Sequence, residues 1–203
     1  MKELKDKLDT LCIFRDFLSD PVISSLRSFL DNPTSPAYAG FVASLYEANG
    51  GDLSAYIKEL CENSSNVYVK TVGRGERVPD HIYFALHAEL DTLQMVADLR
   101  PERLHALLEY KGFLPDFTGF KLQLKDHYLH RANNIEKYGY GIYSKNRMFY
   151  ADAQDRIVPV RNPDRIELSQ LVDYQRERQI IVDNTKALLA GKPAANILLT
   201  GDA

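Results

Sequence analysis

Few side chains in this sequence are spaced as chemistry requires. His127 and His130 stand three apart in His127-Tyr-Leu-His130, so on a helix they share a face and supply two of the ligands that a metal needs. No third ligand accompanies them, and the pair reads as ordinary surface or core histidine. His81, His87 and His105 are scattered, without a nucleophile placed beside them by any motif. Gly73-Arg-Gly75 has the composition of a phosphate-touching loop, but two glycines and an arginine are unspecific. The third candidate is the end of the chain, where the apolar run Asn196-Ile-Leu-Leu-Thr200 is closed by Gly201-Asp-Ala203. A strand closed by glycine opens the phosphate-binding pattern G-x-x-x-x-G-K-[ST]. The second glycine, the lysine and the Ser/Thr do not follow, and with them are missing the groups that hold the β/γ-phosphates and Mg²⁺. No Ser/His/Asp, Cys/His or paired-carboxylate motif stands out.

The elements that must position these residues follow from periodicity and capping. The terminal helix has Asp173 as its cap and Ile180, Ile181, Thr185, Leu188 and Leu189 as its apolar stripe. Gly191 suits the C′ position, Pro193 prevents continuation, and Asn196–Thr200 is expected to be a buried strand. Alone, that strand has unpaired edges, so it should pack on the helical domain, pair with a second copy or be disordered. The first half reads as short helices joined by short loops. They cover Lys2–Leu18, a helix started by Asp20-Pro21, one started by Ser35-Pro36 and ended by Gly50-Gly51, and one capped by Asp52. Val67–Val72 reads as a short extended piece, Asp80 caps the longest helix, and Arg100-Pro101 leads to a further helix ending at Gly112. Leu122–Lys137 is another helix. Tyr138–Tyr143 and Arg147–Tyr150 look like a hairpin, with a second turn at Asp152–Asp155 leading to Arg156–Val160. Arg161–Arg165 is a turn-rich linker.

Composition sets the limits. A chain of 203 residues, 45% hydrophobic and 26% charged, is that of a soluble globular protein, and a chain of this length buries about 70% of its extended surface. The net charge of −3 argues against a strongly basic nucleic-acid module. That average hides a division: residues 1–62 are net −4 and residues 121–150 net +4. Basic and aromatic residues on exposed strands of 121–150 are what single-stranded nucleic acid uses, although such rings more commonly fill a core. Cys12 and Cys61 have no C-x-x-C spacing and read as buried free thiols. The charged N-terminus is no signal sequence and no apolar run reaches membrane length, so the cytoplasm is the expected compartment.

Leu171-Val-Asp-Tyr-Gln-Arg-Glu-Arg-Gln179, Asn184-Thr185 and Ala190-Gly-Lys-Pro-Ala-Ala-Asn-Ile-Leu-Leu-Thr-Gly-Asp202 together resemble the opening of the ATPase core in a bacterial AAA-type family. That family is catalogued as a domain of unknown function (number eight-fifteen). The resemblance is specific over roughly the last 40 residues and looser upstream, where the Tyr-Gly-x-Gly-Ile-Tyr segment matches in character. It implies an ATP- and Mg-binding parent protein, cut here just before the Walker A lysine, so that this chain alone should neither bind nucleotide tightly nor hydrolyse ATP. It further implies that Leu171, Val172, Asp173 and Tyr174 lie against the adenine base and that Gly201, Asp202 and Ala203 begin the anion nest. For the chain as given, a hinge and a frayed terminus are the favoured reading of these residues.

The expected fold is mainly α: a helical bundle with a small antiparallel β element, then a helix-strand unit that begins an α/β P-loop core. The expected divisions are a helical domain at 1–112, a helix and β-hairpin segment at 113–165 and the start of the ATPase core at 166–203. The expected function is the regulatory or partner-binding N-terminal region of an AAA-type ATPase. A protein partner follows from that reading, and a homo-oligomer of the parent is compatible with it. The alternatives are a free-standing helical interaction module and a nucleic-acid-binding module using 121–150.

Overall fold

The first helix stops short of its own hydrophobic pattern. In the computed structural model, which describes residues 1–200, α1 spans Lys2–Asp9 and not Lys2–Leu18. The cause lies far along the chain. The buried carboxylate of Glu89 accepts hydrogen bonds from the backbone N–H groups of Cys12 at 2.8 Å and of Ile13 and Phe14 at 3.0 Å. Those N–H groups are therefore not available to an α-helical ladder, and the chain turns into a 3₁₀ segment at Arg15–Ser19.

Helix α2, Pro21–Asp31, starts as its sequence dictates: Asp20 accepts from Val22 N and Ile23 N, both at 3.0 Å, with Pro21 in the first turn. In α3, Ser35–Asn49, the cap is Thr34, one residue earlier than the Ser-Pro pair suggests, and Gly50 at φ 78° closes the helix. Asp52 caps α4, Leu53–Glu62. Val67–Gly73 is a helix, α5, where an extended piece was expected. Asn66 accepts from Val69 N at 3.2 Å, and burial of Tyr68 and Val69 outweighs the β-branched composition. Helix α6, Asp80–Ala97, is the longest, but Pro79 holds its N-cap position and Asp80 lies inside the first turn. Pro101–His105 forms α7. The predicted helix Leu122–Lys137 is divided at Asn134 into α8, Leu124–Asn133, and α9, Ile135–Tyr138.

Among the described residues the chain is mainly helical, with one two-stranded antiparallel sheet. Strands β1, Phe149–Ala151, and β2, Ile157–Pro159, pair in the register Tyr150 opposite Val158. The hairpin therefore forms about Asp152–Asp155. The other one, expected between Tyr138–Tyr143 and Arg147–Tyr150, does not form: Gly141–Tyr143 is a 3₁₀ turn, because Gly139 and Gly141 both take positive φ.

Two compact units result, Met1–Val160 and Arg161–Ala203. In the first, α6 packs against α1, α4, α5 and α8, and α2 against α3. One core runs through it, from Leu4 to Ala132, and includes Phe117, Leu124 and Tyr128 from beyond residue 112. Each fully buried Leu or Phe contributes about 1.5–3 kcal/mol. The irregular strap from 113 to 123 is held by polar groups. Thr118 N donates to Gly51 O at 2.8 Å, Tyr38 Oη to Pro115 O at 2.7 Å, and Ser54 Oγ to Phe120 O at 3.0 Å. These backbone groups are satisfied without a sheet.

The second unit contains α10, Gln175–Leu189. Gly191 takes φ 66°, Gly191 N donates to Leu188 O and Lys192 N to Ala187 O, which completes a Schellman closure at the predicted glycine. Asn196–Thr200 is not paired as a strand; it is exposed and has no regular structure. No described residue of this unit is buried, and among its described residues there is no strand for the run to pair with.

Candidate functional site

The Tyr-Gly-Tyr-Gly-Ile-Tyr segment builds one wall of a cleft in the first unit. A Cβ on Gly139 would come 2.5 Å from Tyr143 O, and one on Gly141 3.1 Å from Ser65 Cβ, so both glycines are required for the close approach. Gly141 N donates to Ser64 O at 3.2 Å, and Ser144 Oγ to Asn63 Oδ1 at 2.7 Å. Tyr143 packs against Phe149 with ring centroids 5.0 Å apart and edge-on to Tyr140 at 6.1 Å. The cleft that remains has a volume of about 540 Å³, with Asn63, Ser65 and Lys70 on one side and Tyr140, Tyr143 and Lys145 on the other. Lys145 pairs with Glu59. Lys70 makes no ion pair among the described residues.

His127 and His130 do not converge. His127 Nε2 meets Glu62 Oε1 at 2.5 Å, while His130 Nε2 meets Tyr138 Oη at 3.3 Å. Among the described residues no group of three or more His, Cys, Asp or Glu side chains is placed to hold a metal ion. Gly73 of the Gly-Arg-Gly stretch ends α5 and lies against Tyr140. Both cysteines are free, but only Cys61 is buried; Cys12 is exposed. Hydrogen bonding to Glu89 raises the Cys12 thiol above its ordinary pKa, and burial raises Cys61. Neither is an activated nucleophile.

In the terminal unit, Leu171, Val172, Asp173 and Tyr174 link a 3₁₀ turn at Leu168–Gln170 to α10. All four are exposed, Val172 at 81% and Tyr174 at 75%. Asp173 does not cap the helix: Tyr174 holds the N-cap position, and both residues are left-handed, with φ 67° and 55°. Non-glycine residues in that region cost about 1–3 kcal/mol each. Arg178 supplies the constraint, its guanidinium donating to Leu168 O at 2.6 Å and Leu171 O at 2.8 Å. Asn184 fixes the other side of the helix. Its amide donates to Ala195 O at 2.8 Å and accepts from Ala195 N at 2.9 Å, as a neighbouring strand would. The start of the apolar run is thus tied to α10. Gly201, Asp202 and Ala203 lie outside the described residues.

Periodicity found α10 but neither clamp, because a mid-helix Arg or Asn carries no signal of its backbone partner. Residues 144–203 match the family model described as "Protein of unknown function (DUF815)". Over that segment the chain is similar to this family. The match begins directly after Tyr143 and takes in β1, β2 and the terminal unit. No curated protein and no solved structure matches the chain. Among the described residues no helix is long and apolar enough to cross a membrane.

Proposed function

We propose that the chain is the regulatory or partner-binding N-terminal region of an AAA-type ATP-binding protein, with 161–203 opening its nucleotide-binding core. One observation supports this most: α10, its glycine turn and the run after Ala195 form a unit whose apolar groups are uncovered. Ile180, Leu188, Leu189, Leu198 and Leu199 are 58–86% exposed. A helix and a strand that line one face of a parallel sheet need that amount of apolar surface. The family similarity over 144–203 supports the same reading. On this reading Leu171, Val172, Asp173 and Tyr174 face the adenine base and Gly201, Asp202 and Ala203 begin the phosphate loop. ATP and Mg²⁺ are bound by the longer protein, and the helical unit Met1–Val160 meets a protein partner. The native reading frame beyond Ala203 tests this. A second glycine followed by Lys and Ser/Thr at the loop spacing is expected; a frame that stops, or continues without that lysine, defeats the proposal.

A further inference from the structure

We propose that the cleft between α5 and the Tyr140–Asn146 segment binds a nucleotide unit, either free or within a single strand of nucleic acid. The inference is independent of the terminal unit, since every lining residue falls between 63 and 146. At about 540 Å³ the cleft lies within the size range of ligand sites, roughly 300–1,000 Å³.

Three kinds of group meet there, and together they match the phosphate of a nucleotide and the face and edge of its base. For the phosphate there are two ammonium groups. Among the described residues the exposed Lys70 makes no ion pair and Lys145 pairs with the exposed Glu59 alone, a pairing that a phosphate can replace. For the ring there is Tyr143, 38% exposed and backed by Phe149, so that a stacked base meets a supported surface. For the base edge there are two amides with unused capacity. Asn63 spends its oxygen on Ser144 Oγ, and Asn146 spends its nitrogen on Ile142 O at 2.8 Å. Among the described residues each amide keeps one end without a hydrogen-bond partner, and such an amide end can meet the polar edge of a base. The site is also preformed, because the glycines at 139 and 141 fix the wall in the absence of ligand. A fatty or purely apolar ligand would leave both lysines and both amides unmatched.

Two probes distinguish the sources. The full chain is titrated with AMP by calorimetry and with a fluorescein-labelled oligothymidylate by anisotropy. AMP binding identifies free nucleotide as sufficient; binding of the oligothymidylate alone identifies the strand. In either case Lys70→Ala should weaken affinity about tenfold, and for the strand it should reduce the salt slope by about 1. Tyr143→Leu should weaken binding and Tyr143→Phe retain it, while Glu136→Ala, exposed and outside the cleft, should leave it unchanged. Lys70 is exposed, so its substitution leaves the fold intact. Failure of both probes to bind up to about 1 mM overturns the inference. So does binding that Lys70→Ala leaves unaltered, or that Glu136→Ala abolishes while Lys70→Ala does not.

Discussion

Glu89 shows how much one side chain can decide. Its carboxylate takes three backbone N–H groups and the Cys12 thiol, at 3.0 Å, and so determines where α1 ends. Glu89→Ala leaves those donors without a partner in a partly buried site and should cost about 2–4 kcal/mol, measured by urea unfolding. Its effect should far exceed that of an exposed substitution such as Glu136→Ala. Asp9 gives a pH dependence. Hydrogen bonding to Lys5, at 2.9 Å, and then to Arg27 holds its carboxyl below the ordinary pKa. A depressed folded-state pKa means stability that is present above about 3.9, the unfolded value, and lost as pH falls through the folded one. Asp9→Asn should therefore destabilise by ~1 kcal/mol at pH 7 and pH 5, and the difference from the native chain should shrink below pH ~4. Urea midpoints at the three pH values check this. The Glu89 contacts were not legible in the sequence, since Glu89 and Cys12 are 77 residues apart and a glutamate on an amphipathic helix looks like any surface charge.

At the scale of elements, what was legible is what is local. Asp20 with Pro21, Asp52 and Gly191 each act within a few residues, and the structure places their helix ends as the sequence indicates. Val67–Val72 was misleading because its β-branched residues favour a strand, whereas burial of Tyr68 and Val69 under a cap from Asn66 favours α5. The Tyr138–Tyr143 hairpin was misleading for a related reason: glycines suit hairpin turns, but these two serve close packing against Tyr143 and Ser65. Gly139→Ala tests that role. It adds a Cβ 2.5 Å from a backbone oxygen at a residue with φ 65°, and should cost upwards of ~2 kcal/mol. Gly75→Ala also has positive φ but open space around it, and should cost only about 1 kcal/mol. The difference between their thermal midpoints isolates the contact from the backbone term.

For the whole molecule, the two units differ in kind. Met1–Val160 contains the full set of buried side chains among the described residues, whereas Arg161–Ala203 contains none of them. Stability should be distributed accordingly. In native-state hydrogen exchange, amides of α6 should be protected to the level of global unfolding. Those of α10 should exchange orders of magnitude faster, at rates set by local helix opening. Equal protection of α10 would show that the terminal unit already has a cover. The mainly helical fold was legible from repeated short amphipathic segments. The cleft and the two clamps of α10 were not, because each joins groups that no periodicity relates.

The placement of the core along the chain also has a consequence in time. The buried residues run from Leu4 to Ala132, so during synthesis the core is complete in sequence 71 residues before Ala203 is added. At ribosomal speeds that interval is about 4–14 s, while a mainly helical unit folds in well under a second. The sticky Ile197-Leu-Leu199 segment therefore emerges beside a finished domain and not beside an unfolded one, which removes the most dangerous partner it could meet.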